Sequence, residues 1–394
     1  MEKAICKGFK AAGVASGLKK NGGKDLGLIY SEVPATVAGV FTKNLVQAAP
    51  VLLDRERIKS GKCQAIIVNS GNANCCTGDQ GMRDATAMTR FTASGLAISE
   101  DLVLVASTGV IGQPLDTGKI EAAMPDLIKS AVPEGLDDLA EAIMTTDTVP
   151  KVVTRQRTMD GVPYTVTGVA KGSGMIRPDM ATMLCFVVSD IKISHDLLTE
   201  ALLTATDKSF NKITVDGDTS TNDTILVLAN GLSGATVKNP VHKESFQIVL
   251  DEVLINLAKM VVKDGEGATK LVEIIVRGAP TDKDAYKIAD TISNSNLVKT
   301  ALFGEDANWG RILAAAGRAG VNIDPYKIDI FFDDVIIAKD GMWCGEMAEE
   351  EAARILKREE FAISVDLNMG QGSASIFTCD FSIDYVKINA DYRS

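Results

Sequence analysis

The segment KGSGMIRPDMATMLCFVVSD, residues 171–190, passes directly from a glycine-bearing polar stretch into an apolar one. Residues 183–188 are a short, continuous apolar run rich in strand formers, which predicts a buried β-strand. Thr182 stands at the junction. Threonine is a good strand former, so a purely structural reason for it is sufficient. The alternative is that its hydroxyl or its backbone nitrogen has a chemical role.

Outward from this segment, apolar strand-like runs alternate with helical patterns along the chain. Strands are predicted over 64–68, 102–106, 164–169, 183–188, 271–276, 362–367 and 373–379, with a hairpin around FFDDVIIAKDG. Helices are predicted over 85–98, 136–144, 246–262, 309–318 and 346–357. The alternation predicts a layered α/β or α+β fold. The best linker candidate, 280–282, separates a main domain, 1–280, from a smaller C-terminal unit, 281–394.

Composition narrows the class of protein. With 394 residues, 46% of them hydrophobic and 24% charged, the chain is long enough for two globular domains and is not disordered. A net charge of −11 without a basic stripe argues against a nucleic-acid partner. No apolar run is long enough to span a bilayer and the first residues lack a signal-peptide core, so we expect no membrane association and a cytoplasmic location.

The cysteines and acidic residues suggest neither a disulfide framework nor a metal site. Seven cysteines without CxxC spacing fit reduced, mostly buried thiols. The adjacent pair Cys75 and Cys76 is interpreted as packing or loop, although a redox role stays open. Asp216 and Asp218 resemble metal ligands, but their segment reads equally well as a self-bonded loop. No metal and no cofactor is predicted.

Exclusion narrows the kinds of catalytic residue that the sequence can supply. The two histidines, His195 and His242, are placed at helix starts and not in glycine-rich loops, so a histidine-based triad has no support. Hydroxyl residues are abundant instead, in 107–109, 145–148 and 214–223. A threonine nucleophile needs a base, and the α-amino group of an N-terminal threonine can serve as one.

That base would exist if the chain were cut before Thr182. The amine would then lie beside the Thr182 hydroxyl, with a reference pKa of about 7.7–8.0 that lets it accept a proton near neutrality. The same hydroxyl could make the cut by attacking the carbonyl of Ala181. The small Ala181 and the glycines before it leave room for a strained turn.

These residues resemble a known family. The opening segment, together with STGVIGQP, NSGNANCCTG, ITVDGDTSTNDT, DGEGATK, GEDANWGRILAAAGRAG and the terminal NADYRS, is similar to the ornithine acetyltransferase family of arginine biosynthesis. The resemblance runs from about residue 7 to the last residue. It implies a layered αββα sandwich of the self-processing DmpA type. It also implies a smaller C-terminal α/β domain whose tail returns to the active site.

The resemblance also implies roles for individual residues. The chain would cleave itself between Ala181 and Thr182, and Thr182 would be the nucleophile. Thr108 and Gly109 match the oxyanion hole. The substrate-binding positions match Thr145, Lys171, Thr182, Glu266, Asn389 and Ser394. The two chains, 1–181 and 182–394, are expected to assemble as a heterotetramer of two α and two β chains.

The implied reaction moves an acetyl group from N-acetylornithine to glutamate through an acetyl-Thr182 intermediate. Use of acetyl-CoA as a second donor is expected for a bifunctional member and absent from a recycling-only one. Other function classes stay open on the residues alone. A self-processing, threonine-dependent amidase or aminopeptidase would use the same nucleophile and admit water. A non-catalytic amino-acid-binding module would not be cleaved.

Overall fold

The computed structural model describes residues 5–177 and 183–391. The contacts between residues divide the chain into two compact units. The first consists of Met1–Asn211 and Asp218–Val261, and the second of Lys212–Gly217 and Val262–Ser394. No helix in the described part of the chain is long and apolar enough to cross a bilayer.

The first unit is one long mixed sheet with helices on both sides. Its strands are β1 (Phe9–Val14), β2 (Leu26–Phe41), β3 (Lys62–Asn72), β4 (Val103–Val110), β5 (Lys151–Met159), β6 (Val162–Lys171), β7 (Leu184–Ser189) and β8 (Thr224–Ala229). Its helices are α1 (Ala49–Arg57), α2 (Gly78–Leu96), α3 (Thr117–Lys129), α4 (Leu136–Ile143), α5 (His195–Lys208) and α6 (Pro240–Lys263), the last of which extends into the second unit.

Strand β2 turns this sheet into two layers. The strand order is β4-β3-β2-β8-β7-β6-β5, with β1 also paired to β2. The start of β2 pairs with β3, its end pairs with β8, and the register shifts between Tyr30 and Ala35. Because such an irregularity bends a strand and increases its twist, the two halves of the sheet can face each other.

The core confirms the predicted layers. One cluster of buried side chains draws on both halves of the sheet: Ile66, Val68, Leu104, Ala106, Leu184, Phe186, Val188, Leu226 and Leu228. Alternate residues of β3 and β4 point the other way and pack with α2 and α3, as in Ala65, Ile67, Val103, Val105, Met88 and Ile120. On the far side, α6 approaches so closely that a Cβ on Gly168 would lie 2.6 Å from Leu257. The first unit is therefore an αββα sandwich.

The second unit is a smaller α/β domain. Its sheet has the order β12-β11-β10-β13-β9-β14. The strands are β9 (Leu271–Ala279), β10 (Asp329–Phe332), β11 (Val335–Lys339), β12 (Met342–Trp343), β13 (Glu360–Asp366) and β14 (Gly372–Cys379). The helices are α7 (Asp282–Ser293), α8 (Asn296–Phe303), α9 (Trp309–Gly317), α10 (Glu346–Leu356) and α11 (Ile383–Asp391).

The boundary between the units lies earlier than residue 280, where the sequence placed it. Strand β9 belongs to the second unit, because it pairs along its length with β13 and β14. The boundary therefore falls near the end of α6, between Val261 and Val262. The segment 280–282 is not a linker either, since the Thr281 side chain caps α7 by accepting the Asp284 N–H.

Candidate active site

The residues predicted for the site fall into three groups. Ala181, Thr182 and Ser394 lie outside the described residues. Thr108, Gly109, Thr145 and Lys171 lie in the first unit, and Glu266 and Asn389 in the second.

Met183, directly after Thr182, is held by hydrogen bonds to both its backbone N–H and its backbone carbonyl. The Met183 N–H donates to Asp223 Oδ1 at 3.0 Å, and the Met183 carbonyl accepts the Thr224 N–H at 3.1 Å. One residue later, Leu184 lies in register between Lys171 on β6 and Thr224 on β8. The nucleophile candidate is thus attached to a central, fully paired strand, which is a rigid support for a reactive group.

Asp223 is a buried carboxyl group that the sequence did not single out. Only 1% of the residue is exposed, and its Oδ2 lacks a hydrogen bond of good geometry within the described residues. Burial raises the pKa of Asp223 well above its usual value, despite the Met183 N–H, the Ser220 hydroxyl and the Lys171 ammonium, which favour the carboxylate. A carboxyl group with a raised pKa next to a predicted nucleophile is a candidate functional group.

The predicted oxyanion residues stand at the end of β4. Thr108 is 5% exposed and lies in register with Ser70 of the parallel strand β3. Gly109 has a φ of +133°, and a Cβ there would lie 2.3 Å from the carbonyl carbon of Gly71. Only glycine fits this position, because the two backbones approach too closely for any side chain.

Asn222 connects this strand end to the start of β7. Its side-chain amide donates to the Ser107 carbonyl at 2.8 Å and to the Ala73 carbonyl at 2.6 Å. Asn222 precedes Asp223, which holds Met183, and Ser107 precedes Thr108. A continuous chain of hydrogen bonds and covalent links in the first unit therefore joins the predicted oxyanion strand to the residue that follows Thr182.

Lys171 and Thr145 are brought together. Lys171 is 2% exposed at the end of β6, and its Nζ donates to Thr145 Oγ1 at 2.8 Å. Thr145 lies in the connection between α4 and β5 and is half-buried. An ammonium and a hydroxyl at one place form a suitable donor pair for a carboxylate.

Asp147 holds this pair from behind. Its Oδ2 accepts the Thr145 N–H at 2.9 Å and lies 3.7 Å from Lys171 Nζ. Its Oδ1 accepts from Lys151 Nζ at 2.8 Å and from the Gly172 N–H at 2.6 Å. Burial alone would raise the pKa of Asp147, but the ammonium groups of Lys171 and Lys151 outweigh it and hold the pKa well below the usual value.

In the second unit, the structure pairs Glu266 with Asn389. Asn389 Nδ2 donates to Glu266 Oε2 at 2.7 Å, from an exposed position on α11 to a carboxylate that is 8% exposed. The adjacent Gly267 has a φ of +67°, and a Cβ there would lie 2.6 Å from the Tyr385 nitrogen. A tight glycine turn therefore packs the Glu266 loop against the start of α11.

The two histidines and the acidic residue Asp216 contact groups outside the proposed reaction. His195 Nδ1 lies 2.8 Å from the Val37 carbonyl, and His242 Nε2 lies 3.1 Å from Asp160 Oδ1. In the part of the chain that the structure describes, no group of three or more His, Cys, Asp or Glu side chains could hold a metal ion. Asp216 instead accepts a hydrogen bond from the Tyr385 hydroxyl at 3.3 Å.

Comparison with known proteins gives a family for this site. The model of the ArgJ family matches residues 10–394. The arginine biosynthesis bifunctional protein ArgJ of Geobacter sulfurreducens is 52% identical, over 98% of this chain and 99% of that protein. The chain belongs to the ArgJ family. It is therefore a member of an enzyme family of arginine biosynthesis, and the resemblance inferred from the motifs is confirmed.

Two further proteins named ArgJ are also similar to this chain. The protein of the same name from Syntrophotalea carbinolica is 51% identical, over 98% of this chain and 99% of that protein. The crystal structure of the ArgJ protein of Bacillus halodurans is 42% identical with a TM-score of 0.50. It covers 52% of this chain but 97% of its own, so the ArgJ chain in that structure is about half as long.

Sequence reasoning missed three side chains that organise the site. Asp147 stands inside the hydroxyl-rich segment TTDT, residues 145–148, and Asn222 and Asp223 stand inside TVDGDTSTND, residues 214–223. The hydroxyls of both segments indicated the chemistry, and in the second segment Asp216 and Asp218 resembled metal ligands. The available signal was a polar residue just before a strongly apolar strand, as Asp223 stands before β8, where burial of the polar group is expected.

Proposed function

We propose that this protein transfers the acetyl group of N-acetylornithine to glutamate through an acetyl-Thr182 intermediate, after cleaving itself between Ala181 and Thr182. The observation that carries the proposal is the link from Ser107, which precedes Thr108, through the Asn222 amide and the Asp223 carboxyl group to the Met183 N–H. It joins the strand of the two proposed oxyanion donors to the residue that follows the proposed nucleophile.

Self-cleavage requires one hydroxyl. Thr182 Oγ attacks the Ala181 carbonyl carbon, the C–N bond breaks, and the Thr182 nitrogen leaves as an amine that takes up the hydroxyl proton. Water then hydrolyses the resulting ester, which gives an Ala181 carboxylate and restores the Thr182 hydroxyl. The half-length ArgJ chain of the Bacillus halodurans structure supports a protein divided in this way.

Transfer repeats the chemistry on the substrate. The α-amine of Thr182 takes the hydroxyl proton while Oγ attacks the acetyl carbonyl. Negative charge on the carbonyl oxygen is stabilised by the Thr108 hydroxyl and the Gly109 N–H. The Thr182 ammonium then protonates the departing amine of ornithine. The amine of glutamate attacks the acetyl ester, the ester C–O bond breaks, and the Thr182 amine passes the proton of the attacking amine to Thr182 Oγ, so that N-acetylglutamate leaves and the hydroxyl is restored.

The substrates are amino acids, and the proposed binding residues match their charges. Lys171 and Thr145 form a donor pair for a carboxylate, and Glu266 supplies a carboxylate for an ammonium group. The roles of Asn389, Ser394 and Gly109, like the assembly of two α with two β chains, stay proposals from the resemblance. No cofactor is proposed, and acetyl-CoA is proposed as a second substrate because the relatives are named bifunctional.

One assay separates transfer from hydrolysis. Purified protein is incubated with N-acetylornithine, with and without glutamate, and ornithine release is measured. We expect release to be much faster with glutamate, with N-acetylglutamate formed in equal amount. Equal release in both reactions, without acetylated glutamate, would indicate the threonine-dependent amidase instead. A second assay with acetyl-CoA as sole donor tests the bifunctional form.

A further inference from the structure

The motif TTDT contains a buried carboxylate to which neither the resemblance nor the proposed mechanism gives a role. The Asp147 side chain is completely buried, and both of its oxygens are in use. Its partners are two backbone N–H groups and two lysine ammonium groups, those of Lys151 and Lys171. Lys151 has a fully buried side chain, and that of Lys171 is 3% exposed.

We propose that Asp147 is a positioning residue for substrate binding, which holds the Lys171 ammonium and the Thr145 hydroxyl in one fixed geometry. This rests on the proposed function, in which Lys171 and Thr145 bind the amino-acid substrate. Asp147 itself touches no substrate in this proposal.

The backbone contacts show what Asp147 holds in place. Thr145 lies in a connection without regular structure, between α4 and β5, whereas Lys171 ends the strand β6. By accepting the N–H groups of both Thr145 and Gly172, Asp147 fixes that connection to the end of β6. Together with the hydrogen bond between the Thr146 and Ser173 hydroxyls at 2.7 Å, these two bonds set the position of Thr145 relative to the ammonium.

The ammonium needs the same support. Lysine has a flexible stem with many rotamers, and a binding site gains from holding it before the substrate arrives. Lys171 Nζ is held by the Thr145 hydroxyl at 2.8 Å and attracted by Asp147 Oδ2 at 3.7 Å. The carboxylate also offsets the repulsion between Lys151 and Lys171. Removal of its charge therefore leaves two buried ammonium groups without their shared partner.

The test compares three variants with a matched control. Asp147→Asn keeps the shape and removes the charge, Lys171→Met removes the ammonium, and the double variant removes both. The control is Asp190→Asn, directly after β7 of the same unit. Asp190 is also buried and accepts two backbone N–H groups, from Thr165 at 2.8 Å and Lys7 at 3.0 Å.

We expect Asp147→Asn to raise the KM for N-acetylornithine roughly 10-fold, while self-cleavage persists and kcat changes much less. Because the Lys171 ammonium and the Thr145 hydroxyl are proposed to bind the substrate as one pair, Asp147 has no pair left to position once the ammonium is removed, and the double variant should have the same KM as Lys171→Met alone. Asp190→Asn should leave the KM unchanged, whatever it does to thermal stability. If Asp147→Asn does not yield folded, two-fragment protein, Asp147→Glu is used instead, and we expect its displaced carboxylate to raise KM as well.

Three results would overturn the proposal. A wild-type KM in the Asp147 variant, with Lys171→Met impaired, would make Asp147 a structural residue only. Multiplying effects in the double variant would show that Asp147 acts independently of Lys171. An unchanged KM in Lys171→Met would remove the premise from the proposed function itself, and with it the role of Asp147.

Discussion

Single residues in the first unit carry most of the proposed chemistry, and Thr108 is the simplest to test. Its hydroxyl is buried at the end of β4, and the following Gly109 occupies a position that no side chain can enter. We expect Thr108→Ala to slow acetyl transfer roughly 10²–10³-fold, the typical loss for one oxyanion donor. Thr108→Ser keeps the hydroxyl and should retain most activity. Normal steady-state turnover in a fully cleaved Thr108→Ala protein would remove this residue from the mechanism.

The buried carboxyl of Asp223 predicts a pH dependence of stability. Its pKa is raised above the usual value of 3.8. A raised pKa means that the folded state binds a proton more tightly than the unfolded state does. The stability this contributes is complete below the usual pKa and is lost as pH rises through the folded-state pKa. Asparagine does not titrate, so Asp223→Asn should gain stability relative to the parent as pH rises.

This comparison is best made in the Thr182→Ala background, where the chain is expected to stay in one piece. Melting temperatures of Thr182→Ala and Thr182→Ala/Asp223→Asn would be measured from about pH 4 to about pH 8. A difference between the two proteins that does not change with pH would show that Asp223 has the same pKa in the folded and unfolded states.

At the scale of elements, the end of β4 approaches its neighbour β3 closely because each strand has a glycine at that point. A Cβ on Gly109 would lie 2.3 Å from the carbonyl carbon of Gly71, in backbone that cannot move aside easily. We therefore expect Gly109→Ala to lower the melting temperature and to abolish acetyl transfer. Gly112→Ala is the matched control, because Gly112 also has a positive φ, +80°, but has nothing within 4 Å of its added Cβ.

Gly112→Ala should show only the modest cost of a left-handed backbone, about 1–2 kcal/mol, with activity retained. Both variants would be compared by thermal unfolding and by initial rates. If both alanine variants behave alike, the close approach of β3 and β4 does not explain the need for glycine at 109.

The elements also show what the sequence could and could not predict. β7 was predicted because its apolar run is continuous, as expected of a strand buried on both faces. β2 was missed, since its 16 residues include exposed and half-buried positions and a register shift that interrupts any simple alternation. The boundary at 280 was misplaced because β9 is paired with strands that lie far along the chain, which periodicity cannot reveal.

For the site as well, local patterns could be predicted from the sequence and contacts between distant residues could not. Hydroxyl-rich motifs and the apolar run after Thr182 were visible in the sequence, and the family resemblance supplied roles for individual residues. Asp147 and Asp223 were not predicted, because each acts through contacts with residues 25 to 40 positions away, such as Gly172 and Met183. Only folding brings these partners together.

For the whole molecule, the proposed cut falls between two paired strands of one sheet. β6 lies before the cut and β7 after it, and they pair from Val166 and Ser189 to Lys171 and Leu184. β8, also after the cut, pairs with β2 from the first fragment. We expect fragments 1–181 and 182–394 to remain associated, so that an affinity tag on one retains the other until a denaturant is added. Elution of the untagged fragment under native conditions would contradict this account.

The central claim is that Thr182 becomes the N-terminal residue and carries the acetyl group. The most direct measurement is mass spectrometry of the denatured protein, before and after incubation with N-acetylornithine alone. We predict two fragments divided between Ala181 and Thr182, with one acetyl group added to the 182–394 fragment after incubation. Peptide mapping should place that group on Thr182, and glutamate should remove it. A single uncut chain, or a cut protein that forms ornithine while its 182–394 fragment never gains an acetyl group, would contradict the account.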